Sequence, residues 1–74
     1  MEELILKLAL ANAVKFKGKA NPGAVIGGVF AHDASLKQKA KEVSKLVQDA
    51  VKKVNAMSLV EQEKQLAAMG GVEE

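Results

Sequence analysis

Apolar residues recur three and four positions apart in four stretches of this chain, and no one of those stretches can bury its apolar side alone. The spacing confines the fold to helices that close on one another. Leu6, Ala9, Leu10 and Ala13 form the first series, and Val25, Ile26, Val29 and Phe30 the second. Leu36, Ala40, Val43, Leu46, Val47, Ala50, Val51 and Val54 make the third and longest. Leu59, Leu66 and Met69, with the polar Gln62 near the same face, make the fourth. The residues between the series are helix starts and stops. Glu2 and Glu3 precede the first series and Lys15 and Lys17 follow it, as the helix dipole favours, with Gly18 as a left-handed stop. Asn21-Pro22 opens the second helix and Asp33 caps the third. Ser58 and Glu61 form a capping box before the fourth, which Gly70-Gly71 ends. The expectation is an all-α, compact bundle of four helices at about 2–16, 22–31, 34–55 and 59–69. The second is short and weakened by Gly23, Gly27 and Gly28, and the longer segments should enclose it. Residues 1–70 are expected to form a single helical domain and 71–74 a disordered tail.

A chain of 74 residues has little energy to spare. It buries only about 60% of its unfolded surface, and a core of this size rarely supplies more than ~3–5 kcal/mol net. With no cysteine, neither a disulfide nor a thiolate metal site can add to that. The absence of cysteine fits a cytoplasmic location. No apolar run approaches the ~18 residues of a membrane span. The acidic start Met1-Glu2-Glu3 is unlike the basic start of a signal peptide, so no membrane partner is expected.

Charge is unevenly placed. Between residues 4 and 57 ten lysines face only Asp33, Glu42 and Asp49, a balance of +7. The two ends hold six glutamates and Lys64, a balance of −5. A basic body between acidic ends attracts polyanions. Lys15, Lys17 and Lys19 cluster in sequence, and Lys37, Lys41, Lys45 and Lys52 recur along one flank of the third helix. These seven are the candidate nucleic-acid contacts, and the plainer reading is a solvated surface that keeps a small domain soluble. With no Arg, Tyr or Trp, the usual base-reading and stacking tools are missing. Any RNA binding should then be driven by charge and shape, through phosphates.

The remaining candidates are weaker. Free N–H groups of Gly23, Ala24 and Val25 at the start of the second helix, with Lys17 and Lys19 just before them, could receive a phosphate; an ordinary cap is the plainer reading. Gly27-Gly28 could let a ligand approach, but they match neither a dinucleotide fingerprint nor a Walker loop, so close helix packing is the plainer reading. His32 has no second His or Cys with which to hold a metal. Ser35, Ser44 and Ser58 lack a His–Asp pair to activate a nucleophile, and Asp33, Glu42 and Asp49 stand apart. No catalytic, cofactor-binding or metal-binding residue is expected.

Several stretches together resemble a known family. Leu10-Ala11-Asn12-Ala13-Val14-Lys15 leads into Gly18-Lys19-Ala20-Asn21-Pro22-Gly23-Ala24-Val25-Ile26-Gly27. Ala40-Lys41-Glu42 and Val54-Asn55-Ala56-Met57-Ser58-Leu59-Val60-Glu61-Gln62-Glu63 follow at matching spacing. This resembles the N-terminal helical extension of archaeal-type glutamyl-tRNA synthetases, over about residues 4–69, most specifically from Gly18 to Gly27. The resemblance implies a parent enzyme that joins glutamate to tRNA with ATP and Mg²⁺. The family's adenylate-binding signatures, of the His-Ile-Gly-His and Lys-Met-Ser-Lys kinds, have no counterpart here, so its catalytic residues carry over to no position of this chain.

Three functional readings follow. The chain is an appended aid to tRNA binding, with its lysines on phosphates. Alternatively it docks onto the catalytic domain of the parent synthetase or another translation protein, through an exposed apolar strip that includes Met57, Val60 and Met69. In the third reading it is a structural spacer with no RNA contact.

Overall fold

The structure, a computed structural model, describes residues 2–70. Four α-helices form the all-α bundle: α1 (Glu2–Lys15), α2 (Pro22–His32), α3 (Ala40–Asn55) and α4 (Leu59–Ala68). The described residues contain no strand. Residues 71–74, where a disordered tail was expected, lie outside the described residues.

The third element departs from the single helix expected over 34–55. Ala34–Lys39 is a 3₁₀ helix, and the α-helix starts only at Ala40. Asp33 caps this 3₁₀ segment, accepting from the Ser35 N–H at 3.1 Å and the Ser35 hydroxyl at 2.6 Å. Lys39 (φ −113°, ψ 34°) separates the two segments and supplies no side-chain cap. Ala40, expected on the apolar stripe, is exposed, while Leu36 still reaches the core. A 3₁₀ turn differs from an α turn by only about 20° per residue, so apolar spacing passes through the change without revealing it.

The enclosed helix is α1 and not the Gly-rich α2. From Leu4 to Val14 no residue of α1 is exposed. α1 packs against α2, α3 and α4, and its apolar side chains accordingly occur all round it. α2 lies on the outside, with Pro22, Gly23, Ala24, Gly27, Ala31 and His32 exposed. The buried centre is Ile5, Ala9, Leu10 and Ala13 of α1, Val25 and Val29 of α2, and Val43, Val47, Val51 and Val54 of α3. Of the two central glycines of α2, only Gly28 packs, with Leu8 beside it; a Cβ on Gly27 would meet open space.

Side-chain amides complete the bundle. Gln62 of α4 is fully buried. Its Nε2 donates to the carbonyl oxygens of Val54 (2.8 Å), Gly18 (3.0 Å) and Met57 (3.3 Å). One amide thus joins the end of α3, the turn after α1, and α4. Three oxygens around one atom also fix the orientation of the amide, because its own oxygen in that place would repel all three. The two Nε2 hydrogens serve three acceptors, so the longest of these bonds is shared. Gln62 Oε1 is buried and has no protein partner.

Three outcomes test this packing. Gln62→Leu keeps the volume and removes the donors, leaving the Gly18 carbonyl without its partner at ~1–3 kcal/mol, while Val54 O keeps the Met57 N–H at 3.0 Å. A loss of about 1–3 kcal/mol is expected, enough to broaden or abolish cooperative thermal unfolding; a variant as stable as the parent would contradict it. Gly27→Ala should raise stability by about 1 kcal/mol in urea titration, since it adds helix propensity without a clash. The Asp33 carboxyl is held below its ordinary 3.8 first by the Ser35 hydroxyl and then by the Ser35 N–H. A lowered folded value means stability present above pH 3.8 and lost as pH falls through that folded value. The stability gap between the parent and Asp33→Ala should therefore shrink on acidification below about pH 4.

Candidate nucleic-acid interface

The turn between α1 and α2 carries two of the seven candidate lysines, with a third at the end of α1, and is held by side chains of three helices. α1 ends in a Schellman arrangement: the Gly18 N–H reaches Ala13 O at 2.6 Å and the Lys17 N–H reaches Val14 O at 3.4 Å. The left-handed residue of such an ending is usually glycine, but here it is Lys17 (φ 59°), and Gly18 follows at φ 106°. The stop expected at Gly18 is thus displaced by one residue, with a lysine in the strained position. Beyond it, Asn55 Oδ1 accepts the Ala20 N–H at 2.8 Å, and Asn12 Oδ1 accepts the Asn21 N–H at 2.7 Å. With Gln62 on the Gly18 carbonyl, three amides from α1, α3 and α4 hold a four-residue span.

Lys15, Lys17 and Lys19 stand exposed on this turn and at the end of α1. Lys41, Lys45 and Lys52 are exposed on α3, within about 40° of one another at ~100° per residue and roughly opposite Val43, Val47 and Val54. Lys37 is exposed on the 3₁₀ segment. Hydrogen bonds among the described side chains use none of these amines. Six of the seven therefore form two groups, a turn cluster and a stripe along α3, while Lys37, expected on the same helix flank, stands on the 3₁₀ segment instead. The Asn55–Ala20 contact joins the two groups at the C-terminal end of α3, one turn from Lys52, whereas Lys41 lies ~16 Å back along the helix.

The start of α2 supports the plainer reading of an ordinary cap. Asn21 Oδ1 takes the Gly23 N–H at 2.9 Å, and the Val25 N–H bonds Asn21 O at 3.1 Å. Pro22 has no N–H, so of the three groups considered for a phosphate only that of Ala24 is left without such a bond. His32 is the exposed last residue of α2, and no group of three or more metal-ligating side chains occurs among the described residues. The proposed apolar docking strip is broken up: Met57 and Met69 pack against the core, leaving Val60 at 69% exposure beside the partly exposed Leu59.

One residue was missed from the sequence. Phe16 is 56% exposed, with the Lys15 ammonium 5.8 Å from its ring centroid. It borders a shallow hollow lined by Lys19, Ala20, Asn21, Pro22 and Ala24. Phe16 falls in phase with Ala9 and Ala13, so periodicity alone would place it inside. The helix ends before it, and only its two flanking lysines signalled a surface position.

Comparison with known proteins gives a consistent result. Over 70 residues the chain is 47% identical to a glutamate–tRNA ligase of Methanothermobacter marburgensis, a match covering 95% of this chain and 13% of that protein. It is 53% identical over 66 residues to the ligase of Thermococcus onnurineus, covering 89% of this chain and 12% of that one. The ligase of Pyrobaculum islandicum is 52% identical over 62 residues, covering 84% and 11%. The chain thus spans only about an eighth of the length of the relatives it matches. No family model and no solved structure matches it. Along nearly its whole length the chain is homologous to a short segment of archaeal glutamate–tRNA ligases.

Proposed function

We propose that this chain acts as a non-catalytic, N-terminal module of a glutamate–tRNA ligase and strengthens the enzyme's hold on tRNA through its lysine-rich surface. The observation that carries this reading is the combination of homology and charge. A segment homologous to part of a tRNA-charging enzyme keeps seven lysine amines exposed, clear of its hydrogen-bond network, while most of its acids stand at the two ends. Glutamate activation with ATP and Mg²⁺ belongs, in this reading, to the rest of the ligase. The module contributes by proximity: once the enzyme body holds tRNA, lysine–phosphate contacts form at high effective concentration. They position the RNA without reading its sequence. The alternative of a protein-docking module gains little, because the apolar residues suited to it are mostly covered. A spacer role without RNA contact is separated by experiment.

Binding of labelled tRNA to the 74-residue chain, followed across salt concentrations, tests the proposal. Affinity should fall steeply as salt rises, with roughly 0.9 in the log–log slope for each phosphate neutralised. Replacing Lys41, Lys45 and Lys52 together by Ala should flatten that slope and weaken binding at low salt at least tenfold, with helix content unchanged. Salt-independent binding, or none at low salt, would sink the proposal. In the whole ligase, removal of the segment should raise the KM for tRNA more than it lowers kcat; an unchanged KM would support the spacer.

A further inference from the structure

We propose that Phe16 is a stacking platform for an unpaired nucleotide base, with Lys15, Lys17 and Lys19 holding the phosphates beside it. The inference rests on the RNA-binding reading above and refines it, since phosphate contacts alone do not distinguish paired from unpaired nucleotides. Phe16 is 56% exposed, the more exposed of the chain's two aromatic residues, while Phe30 packs against the core. A ring left in water beside a hollow floored by Ala20, Pro22 and Ala24 offers an apolar surface that a planar base can cover. The surrounding charge selects a polyanion over an apolar peptide. No acid occurs between Leu4 and His32, and lysines occupy both sequence neighbours of Phe16 and the rim of the hollow at Lys19. The Lys15 ammonium, 5.8 Å from the ring centroid, is close enough to meet the phosphate of a nucleotide stacked there. The site is also firmly placed, because Asn12, Asn55 and Gln62 tether Gly18, Ala20 and Asn21. A base edge would find few partners in such a hollow, so the site should accept any base that is free to leave a helix.

The sequence has no Trp or Tyr, so Phe16→Trp introduces a single fluorophore at the proposed contact. Its emission should be quenched by a single-stranded hexaribonucleotide and not by the same backbone carrying abasic sites. Phe16→Ala should weaken hexanucleotide binding about tenfold and blunt duplex binding by less than twofold, with unchanged helix content. Equal quenching by the abasic strand, or equal losses on both RNAs, would overturn the stacking proposal. If Phe16→Ala changes neither RNA while salt-dependent duplex binding persists, the platform is refuted and the lysine surface stands. Absence of binding to any RNA at low salt refutes both. Weakened association with the rest of the ligase chain, with no effect on RNA, would identify the hollow as a protein-docking surface instead.

Discussion

The buried amide of Gln62 is the contact on which the arrangement of this small bundle depends. Valine, leucine and alanine side chains can slide over one another at little cost, and a core built almost wholly from them specifies orientation weakly. A primary amide surrounded by three backbone carbonyls admits one geometry. It caps the end of α3, anchors the turn after α1 and holds α4 against both. The cost is a buried oxygen without a protein partner.

The surface features derive from the enclosure of α1 and from the regular geometry of α3. Because α1 is enclosed, its C-terminal end must come out of the bundle in a sharp reversal, and the left-handed pair Lys17–Gly18 makes that reversal. Asn12 and Asn55 then hold the outgoing strand of backbone. The result is a short span that leaves the core rigidly and carries two lysines and a phenylalanine into solvent. The α3 lysines need no such device, since helical geometry alone places them opposite the valines. A fixed turn and a regular stripe are the two ways by which this fold keeps charge at defined positions.

Much of this was legible in the sequence. Four helices, the Asn21 and Ser58 caps, and the exposure of the seven lysines followed from spacing and capping chemistry. The 3₁₀ entry to α3 did not, because its apolar spacing is compatible with either helix. The centrality of α1 was signalled by leucines on all its sides, yet its strong periodic subset at 6, 9, 10 and 13 drew attention to one face. Gln62 was placed on the inner face of α4 from register alone, but its role depends on three carbonyls that are 5 to 44 residues away in sequence. Phe16 was invisible for a similar reason: its exposure is set by where α1 stops, and that stop falls one residue earlier than the glycine implied.

Amide hydrogen exchange at Ala20 and Asn21 tests the tethered turn most directly. Both N–H groups sit in a loop, and without the Asn55 and Asn12 side chains they would exchange as freely as any exposed amide. The structure requires protection of Ala20 that approaches the slowest core amides of α1, with Asn21 also clearly slowed. Exchange of both at unprotected loop rates, while the helices stay protected, would show that the turn is loose and that its lysines and Phe16 hold no fixed position.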